Sequence, residues 1–423
     1  MPRAVLNRPG SPRCAVNIAI VASDAVSAGT VDDSDRAAQR AHLLAVAREL
    51  GRSHHVTIYG RLDSPERRPK ARLAHGVTLE LLPAGPPEEL SEEGVLRYAG
   101  DLGAELTRRW DAERPDVIHA HSWAGGLAAL AGADGLNVPV AQTLPRLRPL
   151  PRPARRAATA KAGGGTGGDN ATRVRLARAI GRTASAVIAG CGDEEAELIR
   201  LGVPRRSITV VPCGLDVERF RRHGPSAQRG KRPRLLHVGP LAPEGGAATA
   251  IRALEGVPEA ELVLAGGPPA DALAQDPNAH RLRLLAKETG VDGRVTFLGQ
   301  VPSATVAKLM RSADVVLTLP DDASAGVVAL EAMACGVPVI ASAVGAHLDS
   351  VLDGVTGMLV PPRRPALTAR LARELLTDPT KRSALGFAGA DRVRSRYSYE
   401  RISQELLRVY ADTMGEPEVP ALT

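Results

Sequence analysis

The chain has 423 residues, 44% of them apolar and only 2% aromatic, and a formal net charge of +7. That length exceeds what one hydrophobic core usually organises and points to two domains of about 200 residues with aliphatic interiors. A basic balance suits nucleic acid, an anionic membrane surface or phosphorylated ligands, but no nucleic-acid motif accompanies it, so nucleic acid is not expected as a partner, and membrane-surface association stays open without a motif to support it.

Residues 1–14 are basic and contain proline, with no apolar signal core and cleavage site, and read as a flexible tail. Short apolar runs then alternate with helix-like segments. Residues 17–22, 55–59, 77–82, 116–120, 138–142, 186–189 and 208–211 read as strands. Residues 35–50 and 90–109 carry helical periodicity. The stretch 145–170 is low in complexity, with Pro and Arg first and Gly after, and cannot bury enough apolar surface to order itself. It reads as a disordered basic loop, either reaching over a cleft toward an anionic acceptor or simply joining a strand to a helix; the second reading is favoured. Its glycine run 163–168 lacks the Lys-Ser/Thr of a P-loop.

A polar segment rich in Gly and Pro, RRHGPSAQRGKR at 221–232, marks a boundary. Beyond it a second series of strands is expected at 234–238, 261–265, 294–298, 315–317 and 338–342. Helices are expected at 247–254, 280–288, 303–311 and 326–334. Strand–helix alternation in both halves predicts an α/β protein of two doubly wound, Rossmann-like domains with parallel sheets. The expected organisation is a first domain at 15–222, a linker at 223–233, a second domain at 234–398 and a helix at 399–414. The cysteines Cys14, Cys191, Cys213 and Cys335 are too scattered for a metal site or a disulfide framework. No apolar run of about 18 residues is present, so no membrane span is expected and the cytoplasm is the default location. His119 and His121 alternate on a strand; two histidines on one face could bind a metal, yet no third ligand stands near in sequence, and packing is the preferred reading.

Several phrases occur in a consistent order: DVIHAHSW, ITVVPCGLDVERF, RVTFLGQVP, LEAMACGVPVIAS and DGVTGMLVPP. In these the chain resembles the retaining GT-B glycosyltransferases, the large group 1 family that includes mycothiol, mannosyl and sucrose-phosphate synthase-type transferases. The resemblance implies two domains facing across a cleft, a nucleotide-diphosphate sugar as donor, no bound metal or other cofactor, and a final helix crossing back to the first domain. It also implies a donor site. Glu331 matches the carboxylate that accepts from the ribose hydroxyls, whose vicinal pair suits two acceptor oxygens. Gly326, Val327 and Val328 lie where backbone meets diphosphate and sugar at a helix start. Gly266 and Val301, the latter with Gln300, match stretches that approach the nucleoside.

Other matching positions have lost their side-chain chemistry. The family's first Glu, which holds sugar hydroxyls, is Ala323. An Arg and a Lys that clamp the diphosphate correspond to Pro240 and Gly245. A His near the reacting centre corresponds to Pro145, a glycine loop to Ala37-Ala38-Gln39, and a further Glu to Ala177. Loss of one donor aimed at developing charge typically lowers rate about 10²–10³-fold. No catalytic side chain can therefore be named. Two functions follow as expectations: a glycosyltransferase with weakened or lost chemistry, or a non-catalytic homologue acting as partner or regulatory subunit of an active one. The acceptor, the sugar and the base are not legible.

Overall fold

The computed structural model describes residues 15–23, 34–144, 167–323 and 325–415. In the first half, β1 (Asn17–Ala22), α1 (Ser34–Leu50), β2 (His55–Arg61), β3 (Lys70–Ala74) and β4 (Val77–Leu82) come first. They are followed by α2 (Glu92–Arg97), α3 (Ala99–Ala112), β5 (Val117–His121), α4 (Trp123–Gly132) and β6 (Val140–Thr143). The half closes with α5 (Gly167–Thr183), β7 (Ala186–Ala189), α6 (Gly192–Arg200) and β8 (Ile208–Val210). The strands form one sheet in the order β3-β4-β2-β1-β5-β6-β7-β8, parallel except for β3.

The second half runs β9 (Arg234–Val238), α7 (Ala247–Glu255), β10 (Glu261–Ala265), α8 (Pro277–Glu288), β11 (Val295–Gly299) and α9 (Ser303–Ser312). It continues with β12 (Val315–Thr318), α10 (Val327–Ala334), β13 (Val339–Ser342), α11 (Ala346–Ser350) and β14 (Met358–Val360). Three helices finish the chain: α12 (Pro365–Thr377), α13 (Pro379–Arg396) and α14 (Tyr399–Met414). Its sheet, β11-β10-β9-β12-β13-β14, is parallel throughout. Two Rossmann-like α/β domains are thus present. Buried aliphatic side chains fill both faces of the sheets, as continuous Val/Ile/Leu/Ala strands require when helices cover both sides.

Several readings change. The periodic stretch 90–109 is two helices, because Tyr98 leaves helical geometry (φ −101°, ψ 12°) and Ser91 caps only the first. The edge strand β3 is short and exposed and pairs antiparallel, so it carries no parallel-sheet signature. At the end of the low-complexity stretch, Gly167–Thr183 is α5, so that stretch's last residues are helical. Residues 145–166 and the 1–14 tail lie outside the described residues. Leu215 and Phe220 already pack in the second sheet's core, upstream of the polar 223–233 segment.

The helix α14 returns beside this crossover: the Leu215 N–H donates to the Tyr397 carbonyl at 2.7 Å. Its Ile402, Leu406, Val409 and Tyr410 join the first domain's core. His119 anchors it, with Nδ1 2.7 Å from the Tyr410 hydroxyl and Nε2 2.9 Å from Thr143 Oγ1. Burial holds the His119 imidazole well below its usual pKa, and His121 and His42 add to this, so it is a neutral packing residue. Among the described residues no group of three metal-ligating side chains occurs. Tyr410→Phe leaves one His119 nitrogen buried without a partner and is expected to lower stability by about 1–3 kcal/mol, read as a reduced denaturant midpoint.

Candidate functional site

In the second sheet the strand order reverses between β9 and β12. Loops leaving neighbouring strands at such a point turn to opposite faces and open a crevice at the strands' carboxyl ends. The loops 239–246 and 319–326 flank it, and the turns after β10 and β11 stand beside them.

Gly326 caps α10 in left-handed geometry (φ 61°) and offers no side chain to the helix's first N–H groups. A Cβ there would stand 3.2 Å from Ala346 Cβ and 3.3 Å from His347 Cδ2. Val327, Val328 and Val301 all pack on the same apolar cluster. Gly266 follows β10 and is also at the crevice, but its lack of a side chain is needed by the fold itself. A Cβ would lie 2.0 Å from the Gly239 carbonyl oxygen.

Glu331 is one turn into α10. As a residue it is half-buried, and partial burial of its carboxyl pushes the pKa up to about 8 against the opposing pull of Arg219. No hydrogen bond reaches this carboxyl from any described residue. It faces the domain junction, because its charge acts on Cys213 and Tyr399 as well as on Arg219. A partly desolvated carboxyl without a protein partner gains from a ligand that supplies donors.

The residues around it explain the missing side chains. Ala323 is buried, and its carbonyl accepts from the Ala346 N–H at 2.8 Å. At Gly245 a Cβ would lie 2.2 Å from the Pro240 carbonyl oxygen, so this loop closes over the space a Lys side chain needs to leave the backbone. Arg234 starts β9 at the opposite end of the sheet and is held by Glu261 at 2.7 Å. The cations placed near the crevice were not legible in sequence. Arg281 donates to the Leu241 carbonyl at 3.2 Å, beside Pro240, and Arg219 lies by Glu331. His347 was missed too; burial lowers its pKa, and Nδ1 lies 3.0 Å from the Ser342 carbonyl, leaving a neutral ring beside Gly326. On the first domain, Ala177 is buried in the core. Ala37, Ala38 and Gln39 belong to α1 by backbone alone, and Pro145 is outside the described residues.

The family description "Glycosyl transferases group 1" matches residues 218–392, and "Glycosyl transferase 4-like domain" matches residues 38–214. The D-inositol 3-phosphate glycosyltransferase of Xylanimonas cellulosilytica is 31% identical, over 89% of this chain and 92% of its own length. The chain belongs to the group 1 glycosyl transferases. The Frankia alni protein of the same description is 32% identical to this group 1 member, over 86% of the chain and 91% of its own. Among solved structures, a sucrose-phosphate synthase from Thermosynechococcus elongatus superposes with a TM-score of 0.75 at 24% identity, covering 94% of this chain and 99% of that one. Anabaena HepE, solved with UDP and glucose, gives a TM-score of 0.66 at 18% identity over 94% and 99% of the two chains. Both show that this transferase has the GT-B fold. Among its described residues no helix is long and apolar enough to cross a membrane.

Proposed function

We propose that this group 1 glycosyl transferase binds a nucleoside-diphosphate sugar in the crevice of its second domain. Transfer from it, with retention and without a bound metal, is weak or lost. The partly desolvated Glu331 carboxyl, which no described residue hydrogen-bonds, carries the reading. A ribose supplies two neighbouring hydroxyl donors, and a carboxylate offers two acceptor oxygens. Backbone at Gly326, Val327 and Val328 would meet the diphosphate and sugar, and Gly266 and Val301 would border the nucleoside. HepE, a structural neighbour, was solved with UDP and with UDP-glucose, which supports a donor of this class.

Weak transfer follows from charge. A departing diphosphate needs donors fixed in advance. Pro240 and Gly245 provide no side-chain donor, and the packing of Gly245 on Pro240 keeps one from being added at that point. The methyl of Ala323 cannot hold a sugar hydroxyl. Among the described residues Arg281 and Arg219 lie near the crevice, the latter also paired with Asp216. The same loop geometry favours a second reading, in which the chain binds the nucleotide and serves an active homologue as partner or regulatory subunit.

Titration calorimetry with UDP, GDP, ADP and their sugars tests the first claim, and donor hydrolysis, with and without an inositol phosphate as acceptor, tests the second. One nucleotide is expected to bind, with turnover at least about 10²-fold below an intact transferase. Rapid transfer abolished by Glu331→Ala would exclude the non-catalytic reading. Failure of every nucleotide to bind would exclude the donor site.

A further inference from the structure

Two loops meet across the cleft, one from each domain, and each holds the other. The Gly192 N–H, at the start of α6, donates to Asp349 Oδ2 at 2.7 Å. The Gly345 N–H, capping α11, donates to Asp193 Oδ2 at 3.0 Å. The pairing is reciprocal: each loop supplies one backbone donor and one carboxylate acceptor, the next residue in the first loop and four residues on in the second. Hydrogen bonds with an ionised acceptor are roughly twice as strong as neutral ones.

We propose that Asp193 and Asp349 are positioning residues that clasp the two domains and thereby set the geometry of the donor segment. Both carboxylates stand on fixed supports. Glu194 Oε2 accepts from the Gly190 N–H at 2.7 Å and fixes the turn into α6. Arg392 of α13 donates to the Asp349 carbonyl at 2.7 Å and the Ser350 carbonyl at 2.9 Å, and so locks the C-terminal end of α11.

The clasp leads directly to the crevice. Next to Gly345, Ala346 donates to the Ala323 carbonyl at 2.8 Å and bounds the space at Gly326. A shift of Gly345 therefore moves the wall beside the donor segment. Asp193 belongs to the first domain and touches none of the residues assigned to the nucleotide, yet it reaches them through this one loop.

Small-angle X-ray scattering of the full chain without nucleotide tests the clasp. The variants are Asp193→Ala, Asp349→Ala, their combination, and the double Asp→Asn protein, which keeps an oxygen acceptor at each position. Circular dichroism establishes that each variant is folded. Near solvent, each lost bond is expected to shift the closed-to-open ratio about fivefold. The double Ala protein should show a larger radius of gyration, the single variants intermediate values, and the double Asn protein should recover most of the closure. A double Ala profile superimposable on wild type, or an Asn pair as open as the Ala pair, overturns the assignment. A second arm rests on the donor site proposed above: nucleoside-diphosphate affinity should weaken in the double Ala protein in proportion to the closed fraction lost. Because the scattering arm uses no ligand, failure of the donor reading leaves it intact and the two failures are distinguishable.

Discussion

Replacing Glu331 by Gln is expected to stabilise the protein at alkaline pH and to remove nucleotide binding in the same step. The Glu331 pKa is raised from 4.5 to about 8 by burial, so the folded state disfavours the ionised form. A group with a raised folded pKa contributes its stability below the unfolded value, and that contribution is lost as pH rises through the folded value. Wild type and Glu331→Gln should therefore have similar stability near pH 4.5 and diverge up to about pH 8, with a constant gap above it. The gap is on the order of a few kcal/mol, since one pKa unit corresponds to about 1.4 kcal/mol and the residue keeps a partly exposed edge. Denaturant titrations of both proteins across this range read it directly.

Binding should run the other way. Two ribose hydroxyls donate best to the ionised carboxylate, so a bound nucleotide pulls the Glu331 pKa down and releases a proton. Affinity in the wild type is then expected to climb with pH up to about 8, by as much as about tenfold per unit, and to level off above it. In Glu331→Gln the affinity is weak, and any remaining pH slope comes from the phosphates alone. Calorimetry in buffers of different ionisation enthalpy detects the proton. Equal wild-type affinity at pH 6.5 and pH 9 would show that Glu331 is not the acceptor.

Gly266→Ala should disrupt the second domain. Gly266 holds φ at +130°, and a Cβ would stand 2.0 Å from the oxygen and 2.9 Å from the carbon of the Gly239 carbonyl group. Neither neighbour can yield by rotating a side chain, because both are backbone. The Gly239 N–H is tied to the Ala265 carbonyl at 3.0 Å and the Gly266 N–H to the Gly299 carbonyl at 2.8 Å. The turns after β9, β10 and β11 are thus stacked through main-chain atoms. Forcing them apart combines overpacking with a strained backbone, and the expected loss exceeds about 4 kcal/mol. A glycine with open space around it gives the control: at Gly293 an added Cβ meets nothing within 4 Å, so Gly293→Ala should change stability by less than about 0.5 kcal/mol. A Gly266→Ala protein as stable as wild type would leave ligand approach as the reason for glycine there.

The contrast between Glu331 and Gly266 shows what was legible. Parallel strands buried on both faces announce themselves as short continuous apolar runs, which is why β1, β4, β7, β9 and β10 have the bounds read from sequence. The strand β3 has no such run because it is an exposed antiparallel edge, and the three residues of β14 are too few to show a period. The phrase around Glu331 carried the resemblance to a donor segment, yet the lack of a hydrogen-bond partner at its carboxyl depends on what surrounds it. Gly266 matched a stretch that approaches the nucleoside; the fold adds that the Gly239 backbone packs directly against it.

By itself the sequence determined two successive α/β domains and the order of most of their strands and helices, since these rest on local periodicity, and its ordered phrases carried the resemblance to the group 1 family. Tertiary structure alone decided that Glu331 is partly desolvated without a hydrogen-bond partner, that the Gly245 loop closes against Pro240, and that Asp193 and Asp349 accept backbone hydrogen bonds across separations of 152 and 157 residues. Burial and hydrogen bonding between distant segments are properties of the packed chain, set by how the two sheets face each other, and no local pattern encodes them.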